Sequence, residues 1–176
     1  MKSARSIAIL VLLCGMAICS GRLEALAQSS APTFKDEIAG SWRLVSIINT
    51  RVDGTKYELF GPQAKGVVHF DRNGIYSFQI MRAVRPSFAA ENRLEGSAEE
   101  NKAAVQGMVS HFGTYGVDET NRVVQFHIEG SSYPNWEKTI QKRDFKLLGN
   151  RLMWSDPSAG PRSGDLQSDL IWKREP

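Results

Sequence analysis

The side chains best suited to chemistry stand close together in the C-terminal half of the chain, where His127 and Glu129 are two residues apart and Arg143 follows on the next predicted strand. An imidazole can exchange a proton near neutral pH, a carboxylate can hold it by a hydrogen bond, and a guanidinium can stabilise negative charge. The three groups suit two tasks. They can bind a polar group of a ligand, or they can catalyse an isomerisation, cyclisation or hydration, with His127 and Glu129 as acid and base and Arg143 stabilising an oxyanion.

The same three residues also have purely structural explanations. Glu129 and Arg143 can form an ion pair that fills the interior, since a buried charge needs a partner. A histidine such as His127 is more often hydrogen-bonded in a core or at a rim than catalytic. The sequence alone leaves these alternatives open.

Alternation along the predicted strands indicates which side chains face the interior. On the strand predicted for residues 136–148, one face carries Lys138, Lys142, Asp144 and Lys146, and so many charges must lie in solvent. The other face therefore points inward and carries Thr139, Gln141, Arg143, Phe145 and Leu147. Arg143 is thus predicted to be an inward-facing charge.

Other strands complete the predicted interior. On residues 122–129 we place Val123, Gln125, His127 and Glu129 inward, although Val124, Phe126 and Ile128 support the opposite choice almost equally, and a slip by one residue would reverse it. Further shared faces are His111, Gly113, Tyr115 and Val117; Ser77, Gln79 and Met81; and Trp42, Leu44, Ser46 and Ile48. The predicted ligand-binding residues are Arg143, His127, Glu129, His111, Tyr115, Gln79, Ser77 and Gln141.

The elements that position these residues form an antiparallel meander. β-Branched and aromatic residues predict strands at residues 38–48, 55–60, 65–70, 75–81, 111–118, 122–129, 136–148, 151–155 and 166–174. Gly149-Asn150 is typical of a two-residue hairpin. Ser97 and Glu100 have the spacing of a capping box, which predicts one helix at residues 98–109, inserted between strands. Because closing such a sheet removes its exposed edges, we expect an all-β fold, a single up-and-down antiparallel barrel of eight or nine strands.

The first 27 residues are predicted to be a secretory signal peptide. A basic start, an apolar run over residues 7–18 that is short for a membrane span, and Ala25-Leu26-Ala27 occur in the order that signal cleavage requires. An uncleaved membrane anchor is the alternative. We expect cleavage after Ala27, a flexible lead-in at residues 28–37, a barrel domain at residues 38–176, and a secreted or periplasmic protein that has no membrane association after cleavage.

Removal of this segment changes the composition. The mature chain would have 149 residues, enough for one domain with a sizeable core, and its formal net charge would fall from +3 to +1. Cys14 and Cys19 would both be lost, which excludes disulfides and thiolate chemistry. No basic block indicates nucleic acid. The three histidines lack metal-site spacing, so we expect no metal and no cofactor, although His111 or His127 alone could bind haem iron as in some small β-barrels.

Several segments, in order along the chain, resemble a known family. Gly40-Ser41-Trp42 matches the Gly-x-Trp signature of lipocalins, and Arg174 stands where that superfamily places an arginine across the tryptophan. The other matching segments are Gly61-Pro62-Gln63-Ala64-Lys65-Gly66, Tyr76-Ser77-Phe78-Gln79-Ile80-Met81-Arg82, Gly113-Thr114-Tyr115, Glu129-Gly130-Ser131, Pro134-Asn135-Trp136 and Trp172-Lys173-Arg174. The chain is similar to the bacterial and fungal lipocalin-like domain family, which implies a calycin-type β-barrel with Gly40, Trp42 and Arg174 in structural roles. It departs from many secreted lipocalins in lacking a disulfide and in having its helix between strands.

The predicted function follows from an enclosed cavity with a few polar groups. The leading hypothesis is a secreted carrier or sensor, a monomer or weak dimer, that binds a small hydrophobic or amphipathic ligand through an acceptor or acid group. The second is a barrel enzyme of the isomerase, cyclase or hydratase type that acts on such a molecule. The third is a structural envelope protein. Fold cannot choose among them, because barrels host both binding proteins and enzymes.

Overall fold

The computed structural model describes residues 31–156 and 165–176, with side chains in the second range described from Gln167 onward. The sequence also predicts a flexible loop at residues 156–164. The predicted signal peptide and residues 157–164 of this loop lie outside the described residues. The strands are β1 (Gly40–Arg51), β2 (Lys56–Tyr57), β3 (Lys65–Phe70), β4 (Ile75–Met81), β5 (Met108–Asp118), β6 (Val123–Ser131), β7 (Ile140–Leu148), β8 (Arg151–Asp156) and β9 (Asp165–Arg174). The helices are α1 (Phe34–Ile38) and α2 (Ala98–Gln106).

The strands form a closed antiparallel barrel. The hydrogen-bonded order is β2-β1-β3-β4-β5-β6-β7-β8-β9, and β1 also pairs with β9, from Trp42 opposite Arg174 to Arg51 opposite Asp165. Eight strands therefore close an up-and-down barrel, and the two-residue β2 is an extra strand on β1. Closure gives the edge strands partners and leaves the barrel interior as the place where apolar side chains can leave water. The predicted fold class is confirmed.

The barrel interior is rich in aromatic side chains. β4 alternates buried Tyr76, Phe78 and Ile80 with more exposed neighbours, as a strand with one face in the core must. Phe145, Trp154 and Trp172 form a stack, with ring centroids 4.6 Å and 5.0 Å apart in successive pairs. Burial of each such side chain contributes roughly 1.5–3 kcal/mol, so this face of each strand fixes its register.

One end of the barrel is closed by α1 and a tryptophan–arginine contact. The Arg174 guanidinium lies 4.1 Å from the centre of the Trp42 ring and donates hydrogen bonds to the carbonyls of Ala39, at 2.7 Å, and Glu37. The Trp42 indole donates to the Ile38 carbonyl at 2.8 Å. The contact predicted between Trp42 and Arg174 is therefore present. Gly40 has φ 123° and a Cβ there would lie 3.1 Å from Arg174, which explains why a glycine occupies this position.

The lead-in differs from its prediction. Thr33 and Asp36 form a capping box that starts α1, and Phe34 and Ile38 are buried. The carboxylate of Glu119 also accepts hydrogen bonds from the backbone of Phe34, at 2.6 Å, and of Lys35. The expected loose ordering is thus wrong from Thr33 onward, because the two apolar residues, four apart, fall on one side of a helical turn and cover the barrel end.

The observed bounds of other helices and strands also differ from the predicted ones. α2 begins after the predicted cap Ser97 but ends at Gln106, because Met108 and Val109 already belong to β5. None of the α2 residues is buried, so the helix covers little of the barrel. The second strand shrinks to two residues, and a 3₁₀ turn at Pro134–Trp136 precedes β7. Within residues 31–156 and 165–176, no helix is long and apolar enough to span a membrane.

Candidate functional site

A cavity of ≈ 270 Å³ lies inside the barrel, away from the end that Trp42 and Arg174 close. Its wall is mainly apolar and includes Ile47, Phe60, Phe78, Val109, Phe126, Trp136, Trp154 and Leu170. Its polar lining includes Asn49, His111, Arg143, Asp156 and Ser168. A mostly apolar cavity with a few placed polar groups is the usual form of a small-molecule site.

Arg143 is the buried charge of this cavity. Its neighbours on β7 alternate as the sequence predicts, so that Arg143 and Phe145 face inward while Lys142 and Asp144 are exposed. The guanidinium donates hydrogen bonds to the carboxylate of Asp156 at 2.7 Å, to the Gln141 side chain at 2.6 Å and to the Lys142 carbonyl at 2.9 Å. Burial lowers the pKa of Arg143, and the nearby Asp156 opposes that shift. The cavity wall thus contains an ion pair whose charges largely cancel.

His111 is the second buried polar group. Its Nδ1 lies 2.9 Å from the Tyr76 hydroxyl, and the Phe78 ring stacks on the imidazole with centroids 4.5 Å apart. Burial, with a further contribution from the charge of Arg143, lowers the pKa of His111 to about 4. Burial also raises the pKa of the Tyr76 phenol. Both rings are therefore neutral at physiological pH.

A third polar pair joins strands that are distant in sequence. The amide of Asn49 on β1 donates a hydrogen bond to the Ser168 hydroxyl on β9 at 2.7 Å, and both side chains are buried. Asn49 faces inward because a β-bulge between Leu44 and Ser46 shifts the alternation of β1 by one residue. The predicted face of Trp42, Leu44, Ser46 and Ile48 is therefore wrong beyond the bulge, where Ile47 and Asn49 are buried instead.

The structure corrects the predicted trio. His127 and Glu129 are exposed on the outer face of β6, whereas Val124, Phe126 and Ile128 are buried. The acid–base pair proposed for an enzyme therefore does not lie in the cavity with Arg143. Glu129 is likewise not the ion-pair partner of Arg143 in the contacts described above, a role taken by Asp156. The physical reason is that burying three apolar side chains is favourable, whereas burying an imidazole and a carboxylate on the same strand is costly.

The remaining predicted residues divide into three groups. Ser77 and Gln79 were placed on the wrong face, since Ser77 is only half-buried and Gln79 exposed, while β4 buries its aromatic face. Tyr115 is buried, but its hydroxyl donates to the Asp71 carbonyl at 2.7 Å, outside the cavity lining; burial raises the pKa of this phenol to about 12. Gln141 is half-buried and acts through its hydrogen bond to Arg143.

Sequence reasoning missed Tyr76, Asp156, Asn49 and Ser168. The alternation Tyr76, Phe78 and Ile80 was a usable signal for Tyr76, because it marks the apolar face of β4. The other three required the register of β1, β8 and β9. Among the described residues, no three His, Cys, Asp or Glu side chains cluster so as to hold a metal ion.

Comparison with known proteins places this geometry in a family. A solved redesigned β-barrel matches 84% of the chain and 100% of its own length, with 12% sequence identity and a TM-score of 0.42. The 4'-hydroxy-3'-methoxypropiophenone carrier protein ppsC of Aspergillus oryzae is 32% identical over 108 residues, which are 57% of this chain and 96% of that protein. The family model of the lipocalin-like domain matches residues 39–175, a range that contains every strand of the barrel. The chain therefore belongs to the lipocalin-like domain family.

Proposed function

We propose that this protein is a carrier that binds a small, largely apolar molecule with one aromatic ring inside its barrel. The observation that carries this proposal is the ≈ 270 Å³ cavity, lined by aromatic and aliphatic side chains with a few polar groups. Pockets for drug-sized ligands typically measure about 300–1,000 Å³. The smaller cavity here suits a ligand of one ring with short substituents.

The lining also indicates an aromatic ligand. Phe78, Phe126 and Trp154 line the cavity, and aromatic rings attract other rings in offset or edge-to-face arrangements. The relative from Aspergillus oryzae supports the same class, because its name describes a carrier of a propiophenone, a ketone with one benzene ring.

A carrier fits the site better than the acid–base enzyme. The catalytic hypothesis needed His127 and Glu129 beside Arg143, and both lie on the outer face of β6. The Arg143 guanidinium, which was to stabilise an oxyanion, is held by the carboxylate of Asp156. The cavity has an apolar wall and a few hydrogen-bonding groups, which are sufficient to bind a ligand.

We further propose that the carrier works outside the cytoplasm. This proposal rests on the basic start, the short apolar run and Ala25-Leu26-Ala27, which together are typical of a signal peptide.

The proposed function is tested by titrating 4'-hydroxy-3'-methoxypropiophenone into the purified protein and measuring the heat of binding. We expect saturable binding of one molecule per chain. Val109→Phe should weaken it at least tenfold, because Val109 lines the cavity and a larger side chain would fill it. Val105→Phe is the matched control, since Val105 is exposed on α2.

Two results would contradict the proposal. One is the absence of saturable binding to a folded protein, both for this ketone and for other one-ring probes of similar size. The other is equal weakening by the two phenylalanine variants, which would place the bound ligand outside the barrel.

A further inference from the structure

The hydrogen bond between Tyr76 and His111 determines which proton the imidazole carries. Tyr76 is almost fully buried, and in the part of the chain that the structure describes its hydroxyl has no hydrogen-bond partner other than Nδ1 of His111. If Nδ1 carried the proton and donated it, the phenolic hydrogen would remain buried without an acceptor, which costs about 1–3 kcal/mol. The favoured arrangement is therefore Tyr76 donating to an unprotonated Nδ1.

A neutral imidazole with a bare Nδ1 must carry its hydrogen on Nε2. His111 lines the cavity, and within the described residues its Nε2 has no hydrogen-bond partner. Stacking on Phe78 and edge contacts with Phe126 and Trp136 hold the plane of the ring. The cavity thus contains one N–H donor in a fixed direction, surrounded by apolar surface.

The charges in the wall do not favour an anionic ligand. The Arg143 guanidinium is 5% exposed and already bonded to the carboxylate of Asp156, which itself lines the cavity. A ligand carboxylate would lose its hydration, gain no unopposed cation and lie near a second carboxylate. A carbonyl oxygen loses much less on leaving water and can accept a hydrogen bond from an imidazole N–H.

We propose that His111, oriented and held in one tautomer by Tyr76, is the specificity-determining residue of the cavity and selects neutral one-ring ligands that carry a carbonyl oxygen over the corresponding carboxylates. This inference rests on the proposed carrier function and adds the ligand's functional group and the atom that recognises it. His111 acts by binding, and Tyr76 acts as a positioning residue.

Three one-ring probes of similar size test the selection. Propiophenone carries a ketone, phenylacetate carries a carboxylate, and propylbenzene carries no acceptor. Binding is measured calorimetrically at pH 7 for the wild type and for His111→Phe, His111→Gln and Tyr76→Phe. His127→Phe is the matched control, because His127 is a histidine on the outer face.

We expect propiophenone to bind the wild type at least tenfold more tightly than phenylacetate. His111→Phe should weaken propiophenone about 3- to 10-fold, the effect of one hydrogen bond, and leave propylbenzene within twofold. His111→Gln, whose amide can still donate, should recover part of the loss. In ¹⁵N spectra of the wild type, the His111 ring should have a bare Nδ1 and a protonated Nε2.

The outcomes separate this inference from the proposed function. If none of the three probes binds, the carrier proposal fails and the inference fails with it. If propiophenone and propylbenzene bind but His111→Phe weakens both equally, or if phenylacetate binds most tightly, the carrier stands and the inference is overturned. The ¹⁵N spectrum decides even if a variant fails to fold, since a protonated Nδ1 would contradict the tautomer.

Discussion

The buried ion pair between Arg143 and Asp156 gives the sharpest prediction about stability. In Arg143→Met an unbranched apolar side chain replaces the guanidinium, so the three hydrogen bonds to Asp156, Gln141 and the Lys142 carbonyl are lost. Asp156 then keeps its charge in a cavity wall without the guanidinium that it contacts at 2.7 Å. Breaking a buried pair from one side typically costs 3–5 kcal/mol, mostly because the other charge is stranded.

The exposure of the two side chains sets the expected size of the effect. The Asp156 side chain is 21% exposed, so some water can solvate it, and we expect Arg143→Met to cost about 3 kcal/mol. Asp156→Leu strands the more deeply buried guanidinium and should cost at least as much. The double variant removes both charges and strands neither, so it should cost less than either single variant, at most about 2 kcal/mol. The coupling energy is then at least about 4 kcal/mol.

Urea unfolding followed by tryptophan fluorescence measures these free energies. In a domain of this size, about 3 kcal/mol corresponds to a fall of roughly 6–12 °C in the thermal midpoint. The matched control is the ion pair of Arg43 and Glu175, with a 2.9 Å contact but side chains 63% and 34% exposed. Arg43→Met should have only a small effect, because water screens that pair.

Additive free-energy changes in the two single variants would refute the predicted coupling between Arg143 and Asp156. If Arg143→Met and Asp156→Leu together cost the sum of their separate effects, the two charges do not depend on each other in the folded state. An effect of Arg143→Met no larger than that of Arg43→Met would show that solvent reaches the cavity wall freely.

Three further predictions concern other parts of the molecule. Arg174→Lys should lower stability by about 2 kcal/mol, because lysine cannot both lie on the Trp42 ring and reach the same carbonyls; unfolding of this variant, of Trp42→Phe and of the pair should be non-additive. Burial lowers the pKa of His111 from 6.5 to about 4, so between these values the unfolded chain binds more protons and stability falls as the pH falls, by on the order of 3 kcal/mol. Urea unfolding of His111→Gln should not show this loss of stability between pH 7 and pH 4. An unchanged loss would contradict the assignment of the effect to His111. Intact mass of protein exported from its own host should begin at Gln28, whereas a native product that retains Met1 would contradict signal cleavage.

Local sequence patterns were sufficient to predict the barrel. Each strand carries its own alternation, and turns such as Gly149-Asn150, where Leu148 pairs with Arg151, specify which neighbour the strand meets. The same local rules predicted the capping box of α2 and the inward side chain of Arg143. They worked because neighbouring strands in a meander are also consecutive in sequence.

The site was harder to predict, because its members are not neighbours in sequence. Asn49 meets Ser168 across 119 positions, and Arg143 meets Asp156 only when β7 and β8 are in register. The bulge in β1 also reverses the alternation after Leu44, and no residue type in that stretch announces it. Pairings of this kind depend on the closed sheet as a whole.

The error on β6 had a different origin and was avoidable. Two faces competed: one with His127 and Glu129, the other with Phe126 and two aliphatic residues. Burying the apolar face gains roughly 1.5–3 kcal/mol for each side chain, whereas burying a carboxylate without a partner costs several kcal/mol. A comparison of these free energies predicts that Val124, Phe126 and Ile128 face inward, as the structure shows.

Because β6 turns His127 and Glu129 outward, few polar groups inside the barrel remain for a ligand. Arg143 is held by Asp156, and Asn49 by Ser168, so the members of each pair are hydrogen-bonded to each other within the wall. His111 differs, because its partner Tyr76 occupies only one of two ring nitrogens. A ligand that enters this cavity gains most of its free energy from apolar contact and its orientation from one donor. Selectivity should therefore depend on the position of a single acceptor on the ligand, and moving the carbonyl along an otherwise identical molecule should change affinity more than adding a methylene to its far end.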